Sequence, residues 1–207
     1  AMAENPGLSI PQLFINVYEV KAAYTFFDME EVTPKKLQAS HREKVKAALG
    51  QPGSYLLVED GSEFIWKDKV WREGLGQMHK KQQGFVLHSS LAVKWLGIEE
   101  GQSERGPVEV IGLAHQEYYS RVKRPKDEGD EDSDARKKRP RESELWKRSG
   151  ESIGDAPNSS EVRWVRVADR GADIEFYLRD CIARNHGFVV RAAQNRSLVG
   201  ENGELET

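Results

Sequence analysis

The chain is 207 residues long, with 38% apolar and 31% charged side chains and a net charge of -3 at pH 7. That length allows one ordinary domain with a small appendage, and a core that needs no covalent staples. A lone cysteine, Cys181, excludes an internal disulfide framework and a cysteine-rich metal centre, no apolar run approaches the roughly 18 residues of a membrane span, and the slight acidic excess gives no overall sign of a nucleic-acid binder while leaving room for a local basic face.

The first elements read as helical. Ser9 is a capping residue, with Gln12 three positions on and Pro11 in the first turn. Leu13, Phe14, Val17, Val20, Tyr24 and Phe27 follow at helical spacing. Thr33-Pro34 opens a second helix, with Leu37, His41, Val45 and Ala48 as its buried face and Gly50 as its stop. Residues 1–50 thus form a helical segment. No basic stretch followed by an apolar run opens the sequence, so no signal peptide is read.

After Pro52-Gly53 the pattern turns to strands. Ser54–Glu59 (SYLLVE), Gly84–Val93 (GFVLHSSLAV) and Val108–Tyr119 (VEVIGLAHQEYY) are short apolar runs. Lys67–Gln83 between the first two reads as a long polar loop, and Glu99–Gly106 as a hairpin connection. Arg124–Arg141 differs: six of the eight residues of Asp127–Asp134 are acidic, and five of the six of Arg136–Arg141 are basic. With no apolar side chain longer than Ala135, this stretch cannot offset its ordering entropy and is expected to be a mobile loop. Glu142–Ile153 predicts a helix with Leu145, Trp146, Ser149 and Ile153 on one side.

Glu161–Ala168 alternates as a fourth strand, with Val162, Trp164 and Arg166 facing one way and Arg163, Val165 and Val167 the other. Asp173 is expected to cap a helix whose apolar positions are Ile174, Tyr177, Leu178, Cys181 and Ile182, with Gly187 ending it. Phe188–Ala192 is a fifth strand, and residues 200–207 read as a disordered tail. Three strands able to pair as hairpins, followed by strand–helix–strand, predict an α/β fold with a mixed sheet over residues 51–199.

Two carboxylates stand at strand ends, Asp60 after Leu56–Glu59 and Asp169 after Trp164–Ala168. A strand that ends in Asp sets its carboxylate at the sheet rim. Two such strands side by side bring two hard oxygen donors together, a donor set that suits Mg²⁺ or Mn²⁺. Local alternatives stay open. Glu59-Asp60-Gly61-Ser62 between apolar runs is a good hairpin turn, and on local sequence alone the turn outweighs the ligand. Asp169, at a strand–helix junction, fits an Asx-turn or a helix cap. His79, His88 and His115 lack the short fixed spacing of a zinc site and read as ordinary polar or core histidines. Cys181 reads as core, and Lys137-Lys138-Arg139-Pro140-Arg141 as part of a solvated loop ahead of an import signal or a phosphate contact.

The segment Val167–Ile174 (VADRGADI) resembles the stretch around the second catalytic aspartate in the IS-four group of insertion-sequence DDE transposases, which includes the transposase of the kanamycin-resistance transposon. Further motifs run in the family's order: Gly84–Leu91 (GFVLHSSL), Gly112–Arg121 (GLAHQEYYSR), Glu142–Trp146 (a Glu-Ser-x-x-Trp pattern) and Asn185–Arg191 (NHGFVVR). Upstream, Ser9–Gln12 and Lys21–Phe27 (KAAYTFF) resemble the end of the family's N-terminal DNA-binding region. The resemblance covers roughly residues 5–197.

The resemblance implies a ribonuclease H-like fold and a metal-dependent cut-and-paste DNA transposase. It implies Asp60 and Asp169 as the first two members of an Asp-Asp-Glu triad for Mg²⁺ or Mn²⁺, transposon-end DNA as partner, a homodimer, and a bacterial cytoplasmic, nucleoid-associated setting. Arg170, Arg191 and Arg196, at or after the rim strands, are candidate DNA-phosphate contacts. Where the family has Asp-Thr-Thr at the first site, this chain has Asp60-Gly61-Ser62. No counterpart of the family's Tyr-Arg-Glu helix, its β-rich insertion or its dimerisation segment is found, so the sequence is expected to be a partial core with little cleavage alone. A non-catalytic DNA- or protein-binding remnant of a transposase is the alternative.

Overall fold

The computed structural model describes residues 2, 4–67, 70–79, 82–97, 106–121, 141–195, 198–199 and 205–206. The charged loop expected within 124–141 lies outside the described residues up to position 140, as does most of the connection expected at 99–106. The chain forms two compact units, Ala1–His41 and Arg42–Thr207. No helix among the described residues is long and apolar enough to cross a membrane.

The first unit is helical. Ile10–Leu13 forms α1, and the Gln12 side-chain oxygen accepts from the Ser9 N–H at 3.0 Å. A separate helix, α2, spans Val17–Asp28 and is capped by Asn16, whose side chain accepts from the Glu19 N–H at 2.9 Å. The apolar stripe from Leu13 to Phe27 is therefore broken at its first turn, because a second good capping residue lies inside it. No residue of α2 is buried. Helix α3, Pro34–Leu49, starts after Thr33, whose hydroxyl accepts from the Lys36 N–H at 3.2 Å. Its buried residues, Val45 and Leu49, lie in its last turns, which belong to the second unit. Leu37 and His41, expected to be buried, are exposed.

The second unit is built on a mixed sheet. Its strands are β1 (Gly53–Trp66), β2 (Gly76–Gln77), β3 (Gln83–Trp95), β4 (Val108–Tyr119), β5 (Val162–Ala168) and β6 (Gly187–Val190). The order is β2-β3-β1-β5-β6, with β4 also paired to β3. β1, β3 and β4 pair antiparallel, while β1, β5 and β6 run parallel. The expected α/β arrangement, helices followed by a mixed sheet, is the one observed. Within the tail expected to lack structure, Leu205–Glu206 pairs antiparallel with Leu198–Val199.

The largest departure from expectation is at β1. No turn forms at Asp60-Gly61: Asp60, Gly61 and Ser62 pair with Ser89, His88 and Leu87, and the ladder runs on to Trp66. Beyond the Asp-Gly pair, Phe64 stacks on Phe85 at 5.1 Å and Trp66 lies 5.7 Å from the same ring. These cross-strand aromatic contacts outweigh the local turn preference. A second departure is at Asp173, which does not cap the helix after β5. A short 3-10 turn, Arg170–Ala172, intervenes and is capped by Asp169. The Asp173 side chain instead accepts from the Ala193 N–H at 2.7 Å.

Two helices, α4 (Glu144–Ile153) and α5 (Glu175–Ala183), cover one sheet face. Leu145, Trp146, Ser149 and Ile153 are buried, as their spacing predicts. Tyr55 and Leu57 of β1 and Trp164 of β5 pack with Val45, Leu49 and Ile153. Trp146, Ala168, Tyr177 and Cys181 form a neighbouring cluster. Cys181 is fully buried, and burial pushes its thiol pKa up.

Between these clusters sits an ionic network. β-alternation turns Glu59 and Arg166 to the helix-covered face, and both side chains are wholly buried. Arg166 Nε lies 2.8 Å from Glu59 Oε2 and its Nη2 3.1 Å from Oε1. Nη2 also donates to the Trp146 carbonyl at 2.7 Å, and Nη1 to Asp180 at 3.1 Å. The Tyr177 hydroxyl donates to Glu59 at 2.7 Å, the Ser149 hydroxyl donates to it too, and the guanidinium sits 4.3 Å from the Tyr177 ring centre. Burial alone would lower the Arg166 pKa; the Glu59 carboxylate outweighs it and raises the value. Gly150 of α4 makes room, because a Cβ there would collide with the Asp180 carboxylate and the Arg166 guanidinium.

Arg166→Met strands the buried Glu59 charge and should destabilise the chain by about 3–5 kcal/mol. Glu59→Leu/Arg166→Met should be less destabilised than either single variant, because no unpaired charge is left. Urea denaturation of the three variants checks both statements.

Candidate functional site

The parallel pairing of β1 and β5 ends at Glu59↔Ala168. Asp60, still within β1, and Asp169, just past the end of β5, are the next residues, so they leave the parallel ladder side by side. Adjacent strands lie about 4.8 Å apart, which brings the backbones of the two aspartates to one stretch of the sheet. β1 continues there, paired only to β3. Both aspartates line one cavity of about 340 Å³, together with Gly61, Val86, His88, Glu142, Ser143, Leu145, Trp146 and Gly171.

Asp169 Oδ1 accepts from the Gly171 N–H at 2.8 Å, which is the Asx-turn expected at a strand–helix junction. That bond uses one lone pair, so the turn role and a place on the cavity wall coexist in one residue. Asp60 is exposed, and its side chain makes no hydrogen bond or ion pair with another described residue. Glu142 enters from the turn ahead of α4 and is held by Arg121, at 2.9 Å from Nε and 2.7 Å from Nη2. Arg121 also reaches Glu63 at 3.2 Å.

Asp60 and Asp169, which line one cavity and have no ion-pair partner among the described residues, could hold a divalent ion. Asp60 and Asp169 supply hard oxygen donors, and Mg²⁺ is commonly bound by one or two carboxylates plus water and phosphate. Among the described residues no group of three His, Cys, Asp or Glu side chains is arranged around one ion position.

Of the proposed phosphate contacts, Arg170 is exposed in the 3-10 turn directly after Asp169. Arg191 is exposed just past β6, and its N–H donates to the Ala168 carbonyl at 3.2 Å, which fixes it beside the end of β5. Arg196 lies outside the described residues.

Local sequence carries no sign that Glu142, His88 and Trp146 share a wall with the aspartates. Their approach depends on α4 crossing the sheet. His88 is buried edge-on to Trp146, with ring centroids 4.6 Å apart, and burial lowers its pKa. His115 is also buried. His79 is different: its ring contacts Glu63 at 2.8 Å on the surface. No protein-family model matches the chain.

The buried histidines make stability pH-dependent. Burial, reinforced by the Arg42 cation, lowers the His115 pKa from 6.5 to about 4, although the Glu117 carboxylate 3.7 Å away pulls upward. Burial and then Arg166 lower His186 likewise to about 4. In the unfolded chain both take up protons near the ordinary 6.5, so their stabilising contribution is complete above that pH and is lost as pH falls toward 4. Each should cost on the order of 3 kcal/mol by the end of that window. His115→Gln should flatten the decline in urea midpoint between pH 6.5 and 4 relative to the unsubstituted chain.

Proposed function

We propose that this chain carries the first two carboxylates of a ribonuclease H-like, divalent-cation-dependent polynucleotidyl transferase, of the IS-four group of cut-and-paste DNA transposases. One observation carries the reading. Asp60 and Asp169 each follow the last residue of the β1–β5 parallel pairing and line a single cavity. The mixed order, with antiparallel β4-β3-β1 followed by parallel β5 and β6, is consistent with the ribonuclease H-like arrangement.

In this reading Asp60 and Asp169 hold Mg²⁺ or Mn²⁺. When bound, such a cation activates a nucleophile and offsets charge developing on a phosphodiester. The residues of this chain then have distinct tasks. Asp169, pinned by the Gly171 N–H, presents its carboxylate in a fixed orientation. Trp146 and Leu145 wall the cavity on the α4 side. Arg170 and Arg191 contact phosphates of transposon-end DNA on either side of the rim. A second reading, a remnant that binds DNA or another protein without cutting, is favoured by Gly61, which stands where the family has Thr after its first aspartate.

Calorimetry with Mn²⁺ tests the site. Asp60→Asn and Asp169→Asn should each weaken binding at least about tenfold, as expected when one of two charged ligands is removed. Equal binding by wild type and both variants refutes the metal site. For DNA, Arg170→Ala and Arg191→Ala should each reduce the slope of log affinity against log salt by about 1, the change expected when one phosphate is no longer neutralised. Unchanged slopes in fluorescence anisotropy titrations would remove those arginines from the interface.

A further inference from the structure

The cavity shared by Asp60 and Asp169 contains a polar side chain that cation binding leaves without a task. His88 is 1% exposed, and neither of its ring nitrogens has a hydrogen-bond partner among the described residues. A neutral imidazole carries one donor and one acceptor, and native chains seldom bury both unpaired because the desolvation cost is high. The ring is held in place by Trp146 and lines the cavity. It stands opposite Gly61, where a Cβ would meet only Val86 Cγ1 at 3.6 Å. β1 therefore places no side chain across the strand pair from the His88 ring. Ser143, which makes no side-chain capping bond, lines the same cavity.

We propose that His88 contacts substrate, donating a hydrogen bond to a phosphate oxygen of a phosphodiester seated against Asp60 and Asp169. The proposal rests on the reading of those aspartates as cation ligands. A neutral donor suits the position. A lysine or arginine there would pair with the aspartates and compete with the divalent ion, whereas an uncharged N–H binds the anion without displacing the cation.

The test uses the full chain, Mg²⁺ and a short single-stranded oligodeoxynucleotide. His88→Leu removes the donor. His88→Gln and His88→Asn place an amide N–H near the positions of Nε2 and Nδ1 respectively. Mg²⁺ affinity by calorimetry should be unchanged in all three variants. Oligonucleotide affinity of the Mg²⁺-loaded protein should fall about ten- to a hundredfold in His88→Leu, the effect of removing a hydrogen bond to a charged group, and should recover in one of the two amides. Nitrogen NMR of the imidazoles gives a readout that needs no variant: one His88 ring nitrogen should shift when oligonucleotide is added to the Mg²⁺-loaded wild type.

Wild-type affinity in His88→Leu, a loss that neither amide restores, or unmoved imidazole resonances would each overturn the proposal and leave His88 a packing residue, with Mg²⁺ binding intact. If the wild type binds no Mg²⁺, the reading of Asp60 and Asp169 fails and the proposal falls with it. That failure is seen before any oligonucleotide is added, so the two are separable.

Discussion

The bidentate pairing of Arg166 with Glu59 holds the second unit's secondary structure in register. Arg166 comes from β5 and Glu59 from β1. Through the same guanidinium the pair reaches the Trp146 carbonyl of α4 and Asp180 of α5, while Tyr177 and Ser149 donate to Glu59 from those two helices. Two strands and two helices thus share one set of charge-assisted hydrogen bonds in a place from which water is excluded. Taking both charges out of water costs several kcal/mol per ion, so the arrangement is poor as a source of net stability. Its value is geometric. A slip of β1 by one residue would turn Glu59 to the opposite sheet face and strand the buried Arg166.

That constraint reaches the rim directly. Asp60 adjoins Glu59 in sequence, and Asp169 lies three residues after Arg166. Fixing the buried pair fixes the register in which Asp60 of β1 stands beside Asp169. It also governs the local charge. The Arg166 guanidinium is taken up by Glu59, Asp180 and a main-chain carbonyl, and so is not available to neutralise the rim aspartates. Arg121 serves Glu142 and Glu63 in the same way. Among the described residues Asp60 and Asp169 therefore keep carboxylates without an ion-pair partner, the condition that a proposed divalent cation would exploit.

Much of the fold is legible in the sequence because its signals are periodic. The alternation of Val162, Trp164 and Arg166 against Arg163, Val165 and Val167 reads off which face of β5 is covered, and the spacing in Glu144–Ile153 gives the buried side of α4 correctly. Expectation fails where a strong local signal meets a stronger distant one. Asp60-Gly61 has the composition of a turn, yet the unbroken pairing of Ser54–Trp66 with β3 carries β1 straight through it. Asn16 is hidden as a cap because the apolar stripe continues across it. At the site, sequence puts Asp169 at a strand end, as observed, but Asp60 lies inside β1 rather than at its end, and sequence does not supply Glu142, His88 or Trp146, which reach the cavity only through packing of α4 on β3. The expectation that His88 is a core histidine agrees with its burial; its unpaired nitrogens are a property of its surroundings and leave no trace in local sequence.

The solitary thiol has a practical corollary. Cys181 lies on the inner side of α5, packed with Tyr177 and Trp146 and shielded from solvent, with a raised pKa that suppresses the reactive thiolate. In the native chain it should resist alkylating reagents, and it becomes reactive only when α5 lifts from the sheet. The rate of its modification therefore meters the opening of that helix, and with it the integrity of the buried charges beneath. Because no other cysteine competes for the reagent, the chain carries its own single-site gauge of whether the helix is seated, readable by mass spectrometry without an added label.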